Sequence, residues 1–207
     1  MNLMDRGLEL LTVAVIGLIP LLVPSVSHAA NLIAEVQQAW RSEVEARRSY
    51  LAFAVRADEE GFGQIASLFR AVAQAEAVHA THHRQDIERL GGSAEASDTH
   101  PVVGSTLENL EFAVKREFQE RDRIYSTFLN QHEAEDQELV RSFALARAAE
   151  AKNERLCTEA LQQLDKLRGS SSRTLYVCPV CGYITEARTF ARCPVCFGNV
   201  WQFKVIS

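Results

Sequence analysis

The chain has 207 residues, 47% hydrophobic and 24% charged, which suits a globular protein with one sizeable domain and room for a second, small one. A formal net charge of −5 with no long basic run argues against nucleic acid as a partner. Five cysteines are too few and too clustered for a disulfide-stapled fold.

Residues 1–29 are set apart by composition. Leu8 to Val26 is almost wholly apolar, and Ser27-His28-Ala29 follows it. A short start, an apolar middle and a small-x-small end match a secretory signal cleaved after Ala29, giving an exported or periplasmic protein. The same run approaches the ~20 residues of a membrane span. An uncleaved anchor is therefore the rival reading, although Pro20 and Pro24 interrupt the run. A third reading is a cytoplasmic protein whose start codon is mis-assigned.

Residues 30–168 are dominated by Ala, Leu, Glu, Gln and Arg, with little Gly or Pro, a helix-forming composition. The first helix is expected over 31–60, with Trp40, Tyr50, Leu51 and Ala54 on its apolar stripe, Glu43 beside them and Gly61 as its C-terminal cap. The second runs over 63–90 and stops at Gly91-Gly92. Residues 91–104 form a long crossover. Ser105-Thr106-Leu107-Glu108 reads as a capping box opening a third helix that reaches about His132. A fourth runs from about Ala134 to Leu167, and Gly169-Ser170-Ser171-Ser172 reads as a flexible linker.

The second helix carries Glu76 and His79, three residues apart and so on one face, one turn from each other. Glu-x-x-His facing inward is the ligand pattern of carboxylate-bridged di-iron bundles. The spacing around it strengthens that reading. Glu76 follows Glu43 by 33 residues, and Glu150 follows Glu117 by the same 33. The two pairs are offset by 74, as are Arg47 and Arg121, Phe69 and Phe143, and Ala75 and Ala149. Two helical hairpins related by an internal repeat would make a four-helix bundle with four inward carboxylates. Glu120 adds a fifth, one turn from Glu117. The repeat sends His79 to position 153, which holds Asn153. His82 and His83 are expected to be solvated or to support the ligands, and Cys157 to be a buried thiol.

Residues 174–207 turn to β-type composition and hold Cys178-Pro179-Val180-Cys181 and Cys193-Pro194-Val195-Cys196. Two C-x-x-C pairs separated by 11 residues make a four-thiolate tetrahedral site. A segment this small needs a metal to fold. The ligands alone accept iron or zinc; beside a di-iron bundle, iron is the better match.

Together, these stretches resemble the rubrerythrin family. The resemblance rests on Glu43 to Tyr50, Glu60 to Ala66, Phe69 to His79, Asn109-Leu110, Glu117 with Glu120, and the C-terminal knuckles. It implies a mainly α protein: a ferritin-like four-helix bundle over 30–168, a linker at 169–173 and a small rubredoxin-like β domain over 174–207. It implies non-haem iron at both sites and reduction of hydrogen peroxide to water, with electrons from an external donor relayed by Cys178, Cys181, Cys193 and Cys196. It also implies a homodimer that sets one subunit's small domain near the other's bundle. By resemblance Glu76 and Glu150 bridge the irons, Glu43 and Glu117 are terminal ligands, and Glu120 and His79 alternate at one iron. Asn153 departs from the family, which has a histidine there, and Glu154 is the nearest substitute. Two other functions fit the same residues: a ferroxidase or iron-handling protein, and a non-enzymatic bundle with a zinc ribbon.

Overall fold

A computed structural model describes residues 26–96, 99–132 and 136–207. Most of the N-terminal apolar segment, and with it the expected signal or anchor, lies outside them. Among the described residues no helix is long and apolar enough to cross a membrane.

Helix α1 spans Val26–Glu59 and contains neither Gly nor Pro. It ends in a Schellman turn, in which Phe62 N–H reaches Ala57 C=O at 2.7 Å and Gly61 takes φ +80°. Helix α2 is Gly63–Arg89. Helix α3, Thr106–Gln119, opens on the Ser105/Glu108 capping box. It continues without a break through a π-helical turn, Glu120–Tyr125, into α4, Ser126–His132. Helix α5, Gln137–Gln162, is capped by Asp136, and a last turn, α6, covers Leu164–Leu167. The fourth rod is thus broken at Gln163, whereas the sequence suggested one helix to Leu167. Leu51, placed on the apolar stripe, is 43% exposed, and Phe53 takes the inward position instead.

Two apolar layers fill the bundle. One contains Val36, Trp40, Ile87, Tyr125, Phe128, Leu139 and Phe143. The other contains Tyr50, Phe53, Phe69, Leu110 and Leu156. On every long helix a glutamate falls between the residues of these layers, so the carboxylates form a polar stratum with apolar packing above and below.

The C-terminal part is a three-stranded antiparallel sheet in the order β2-β1-β3, with β1 Leu175–Val177, β2 Ile184–Thr185 and β3 Lys204–Ile206. Leu175, Val177 and Ile184 are fully buried and join the second apolar layer of the bundle. The small domain therefore docks on its own chain's α2.

The segment before β1 is not the loose tether that its Gly-Ser composition suggests. Ser170 accepts from Gly63 N–H at 3.1 Å through its carbonyl and from Gln64 N–H at 3.2 Å through its hydroxyl. These are orphan donors at the start of α2, which has no side-chain cap of its own. Arg173 N–H donates to Ser67 Oγ at 3.1 Å. A Cβ on Gly63 would lie 2.6 Å from the Ser170 carbonyl oxygen, so the close approach requires glycine.

Candidate metal centres

In the bundle, Glu43 of α1, Glu76 and His79 of α2, Glu117 of α3 and Glu150 of α5 are all fully buried, and Glu120 is 2% exposed. Their ligand atoms gather in two sets, each within 4.8 Å: Glu43, Glu76, His79 and Glu150, and Glu76, Glu117, Glu120 and Glu150. Glu76 and Glu150 are common to both, so the arrangement is two adjacent sites with two shared carboxylates. His79 and Glu120 fall in different sets.

These groups fit a dinuclear metal centre on electrostatic grounds. Both oxygens of Glu43, Glu76 Oε1, Glu117 Oε2, Glu120 Oε2 and Glu150 Oε1 are buried without a hydrogen-bond partner. Such oxygens are costly unless something positive binds them. Without a cation, burial and the neighbouring Glu76 push the Glu43 carboxyl far above its usual range, and burial and Glu150 do the same to Glu117. Burial, with Glu117, raises Glu76 to about 7.

The imidazole of His79 is oriented for ligation. Burial alone would favour its neutral form, but Glu150 and Glu76 hold its pKa well above the ordinary value. Its Nδ1 lies 2.8 Å from Glu150 Oε1 and 3.2 Å from Glu76 Oε2. Its Nε2–H points the other way and donates to the backbone carbonyl of Cys181 at 3.1 Å. A ligating histidine that gives its second N–H to a carbonyl is fixed in tautomer and ring plane. Here that carbonyl belongs to a cysteine of the other site.

The four cysteines of the small domain have Sγ–Sγ separations of 3.5 Å (Cys178–Cys196) and 3.6 Å (Cys181–Cys193). A tetrahedron with metal–sulfur bonds of about 2.3 Å sets sulfurs about 3.8 Å apart, so the thiols are nearly in place for one ion. The two knuckles repeat one another. Gly182 N–H donates to Cys178 C=O at 3.0 Å, and Phe197 N–H to Cys193 C=O at 3.0 Å. Both turn residues take positive φ, +78° for Gly182 and +60° for Phe197. The first must be glycine for a further reason: a Cβ there would lie 2.5 Å from His79 Nε2. In the second knuckle Phe197 is 68% exposed.

Position 153 is buried beside the centre, as the repeat predicts. Asn153 Nδ2 donates to Glu150 Oε2 at 3.2 Å, and its Oδ1 has no partner. Glu154 is not a substitute ligand, because it forms an ion pair with Arg121 on the outside of the helix. His83 belongs to neither ligand set. It lies among aromatic rings, 4.4 Å from Phe143, and burial, then His79, lowers its pKa to about 3. Sequence reasoning missed three groups. Tyr50 donates its hydroxyl hydrogen to Glu117 Oε1. Burial, with Glu117, keeps that hydroxyl protonated. Arg116 and Ser42 both bind Glu120. Their signal was present in the spacing: Tyr50 is seven residues from Glu43, and Arg116 four from Glu120.

Fold and site together define a ferritin-like dinuclear carboxylate protein carrying a four-cysteine metal domain. The family model described as Rubrerythrin matches residues 36–161. Nigerythrin of Nitratidesulfovibrio vulgaris is 30% identical, over 84% of this chain and 93% of that protein. Rubrerythrin of Porphyromonas gingivalis is 32% identical, over 76% of this chain and 81% of that protein. A solved structure of nigerythrin in its fully reduced, all-ferrous state superposes with a TM-score of 0.75 at 28% identity, covering 84% and 85% of the two chains. The chain belongs to the rubrerythrin family. Its buried carboxylate–histidine cluster and its four cysteines are the residue sets of that family's di-iron and rubredoxin-like sites.

Proposed function

We propose that this chain reduces hydrogen peroxide to water, taking two electrons and two protons per peroxide, with iron at both sites. The observation that carries this reading is the hydrogen bond from His79 Nε2–H to the Cys181 carbonyl. It joins a ligand of the bundle centre to a ligand of the thiolate site through one contact, the connection an electron relay needs and an iron store does not. An outside reductant, of a kind the sequence does not name, supplies the electrons.

Iron, when bound, supplies one-electron oxidations and a Lewis acid for the peroxide oxygens. The protein's part is positional. Glu43, Glu76, His79 and Glu150 would hold one ion, and Glu76, Glu117, Glu120 and Glu150 the other, with Glu76 and Glu150 common to both sets. Tyr50 keeps a proton on its hydroxyl at Glu117 and fixes which oxygen of that carboxylate faces the centre. The apolar layers on either side exclude bulk water. A cavity of about 490 Å³ between α1, α3 and the crossover reaches inward as far as Arg116, large enough for peroxide to approach from that side.

Asn153 favours one further reading, an iron-oxidising protein that turns over slowly with peroxide, because the second set of ligands has no nitrogen donor. Rates of oxidation of the anaerobically reduced, iron-loaded protein separate the two. Faster oxidation by peroxide than by dioxygen at equal concentration is expected here. The reverse order would establish the iron-oxidising reading.

A further inference from the structure

The two knuckles hold their turn residues in the same left-handed conformation, but for different purposes. At Gly182 the absent side chain makes room for His79. At the equivalent point of the second knuckle stands Phe197, with φ +60° and 68% of its surface exposed. That φ is strained for a bulky L residue, and glycine would take it without strain. A ring this exposed offsets little of the strain by burial. Strain kept at such a point is a signature of residues retained for function rather than for the fold.

The ring also stands beside the thiolate site. Cys178, Cys181 and Cys193 are fully buried, whereas Cys196, which immediately precedes Phe197, is part-exposed. Gly198 follows, and a Cβ there would lie 3.3 Å from Cys196 Sγ and 3.6 Å from Val180 Cγ2, so a side chain would crowd that sulfur. Val180 is itself 36% exposed. Arg192, also exposed, donates through Nη1 to the Phe197 carbonyl at 3.2 Å. Apart from its cysteines, the segment 174–207 carries Arg188, Arg192 and Lys204 against one side-chain carboxylate, Glu186, and Arg173 binds that carboxylate. The chain as a whole has a net charge of −5. The small domain is thus the basic part of an acidic protein.

We propose that Phe197, with Val180 and Arg192 beside it, forms the docking surface for an acidic one-electron carrier protein, whose electron enters through Cys196. The inference rests on the proposal above that an outside reductant feeds the thiolate site. The ring supplies an aromatic anchor, the kind of residue that carries much of the energy of an interface. The cations steer a partner of opposite sign toward it. One electron leaves the carrier and reduces the thiolate iron from ferric to ferrous, and no bond or proton is transferred.

The test uses the full chain with a plant-type ferredoxin, an acidic carrier, as the probe. With zinc in the four-cysteine site and the ferredoxin oxidised, calorimetry reads binding alone. With iron in place and the ferredoxin reduced, anaerobic bleaching of the ferric-thiolate colour reads the transfer. Phe197→Gly is expected to weaken binding and slow the bleaching at least tenfold, and to melt no lower than the unaltered chain, because the turn is relieved. Arg192→Gln should weaken binding by a smaller factor, and that loss should shrink as salt is raised. Unchanged affinity in Phe197→Gly, affinity of the unaltered chain that does not fall with salt, or no binding by it at all overturns the docking surface. So does a lower melting temperature of Phe197→Gly, which would mean that the ring serves the fold. A Phe197→Gly variant that loses self-association but binds ferredoxin as before also overturns it, and makes the face a contact between copies of this chain. Failure of the relay beneath the proposal looks different: the bleached site would not recolour when peroxide is added, whatever the affinity for ferredoxin.

Discussion

Glu76 contributes to both ligand sets, so no other ligand can compensate for its loss. Glu76→Ala is expected to abolish metal loading of the bundle and leave the four-cysteine metal in place, as metal analysis per chain would show. The same substitution should raise the melting temperature of the metal-free protein by about 3 °C or more, because it removes one of several mutually repelling buried acids. A metal-free variant that melts lower than the unaltered chain would contradict that account of the cluster. Asn153→His restores the donor that the repeat predicts and should tighten the second bundle metal, measured by metal titration. The residues were largely legible in the sequence because the ligands obey one offset, and an offset survives without any knowledge of packing. The roles of Arg116, Ser42 and Tyr50 were not, although Tyr50 and Arg116 stand at helical spacing from ligands, because a supporting residue is defined by the atom it touches.

At the scale of elements, the contact between α2 and the first knuckle does two tasks: it buries one face of the sheet and carries the His79–Cys181 link. Gly182 is where both can be tested. Gly182→Ala meets a positive φ that costs about 1–2 kcal/mol in an L residue and drives a methyl group into His79. It should lower thermal stability and slow the reduction of bundle iron by the thiolate site, while the visible spectrum of that site stays unchanged. A second element-scale prediction concerns His83, buried against Tyr125 and Phe143. Its native pKa of about 3 lies below the unfolded value, so its contribution to stability is complete above about pH 6.5 and is lost as the pH falls toward 3. Melting temperatures of the unaltered chain and His83→Phe should therefore diverge in favour of the variant as pH is lowered from 7 to 4. Parallel curves would mean that His83 is not held neutral. The helices, the capping box and the Gly61 cap could be read in advance, since each depends on neighbours a few residues apart. The π turn at Glu120–Tyr125 could not, because nothing in its composition distinguishes it from α-helix. Nor could the ordering of the Gly-Ser segment, whose partners Gly63, Gln64 and Ser67 lie about a hundred residues earlier.

At the scale of the whole molecule, the central point is that both metal centres belong to one chain and meet at one hydrogen bond. The order of bundle and small domain was evident from the sequence. Which bundle the small domain would sit on was not, since a chain that docks on itself and one that docks on a partner have the same composition. The pinned segment at 169–173 caps α2 and delivers β1 directly onto that helix. On the proposed function, electron transfer from thiolate to bundle would then be an intramolecular step. The most direct test is stopped-flow mixing of the fully reduced, iron-loaded chain with hydrogen peroxide, following the ferric-thiolate colour at several protein concentrations. The account predicts that the colour returns after the bundle iron is oxidised, at a rate independent of protein concentration. A colour that fails to return with peroxide, or a rate that rises in proportion to protein concentration, would contradict it.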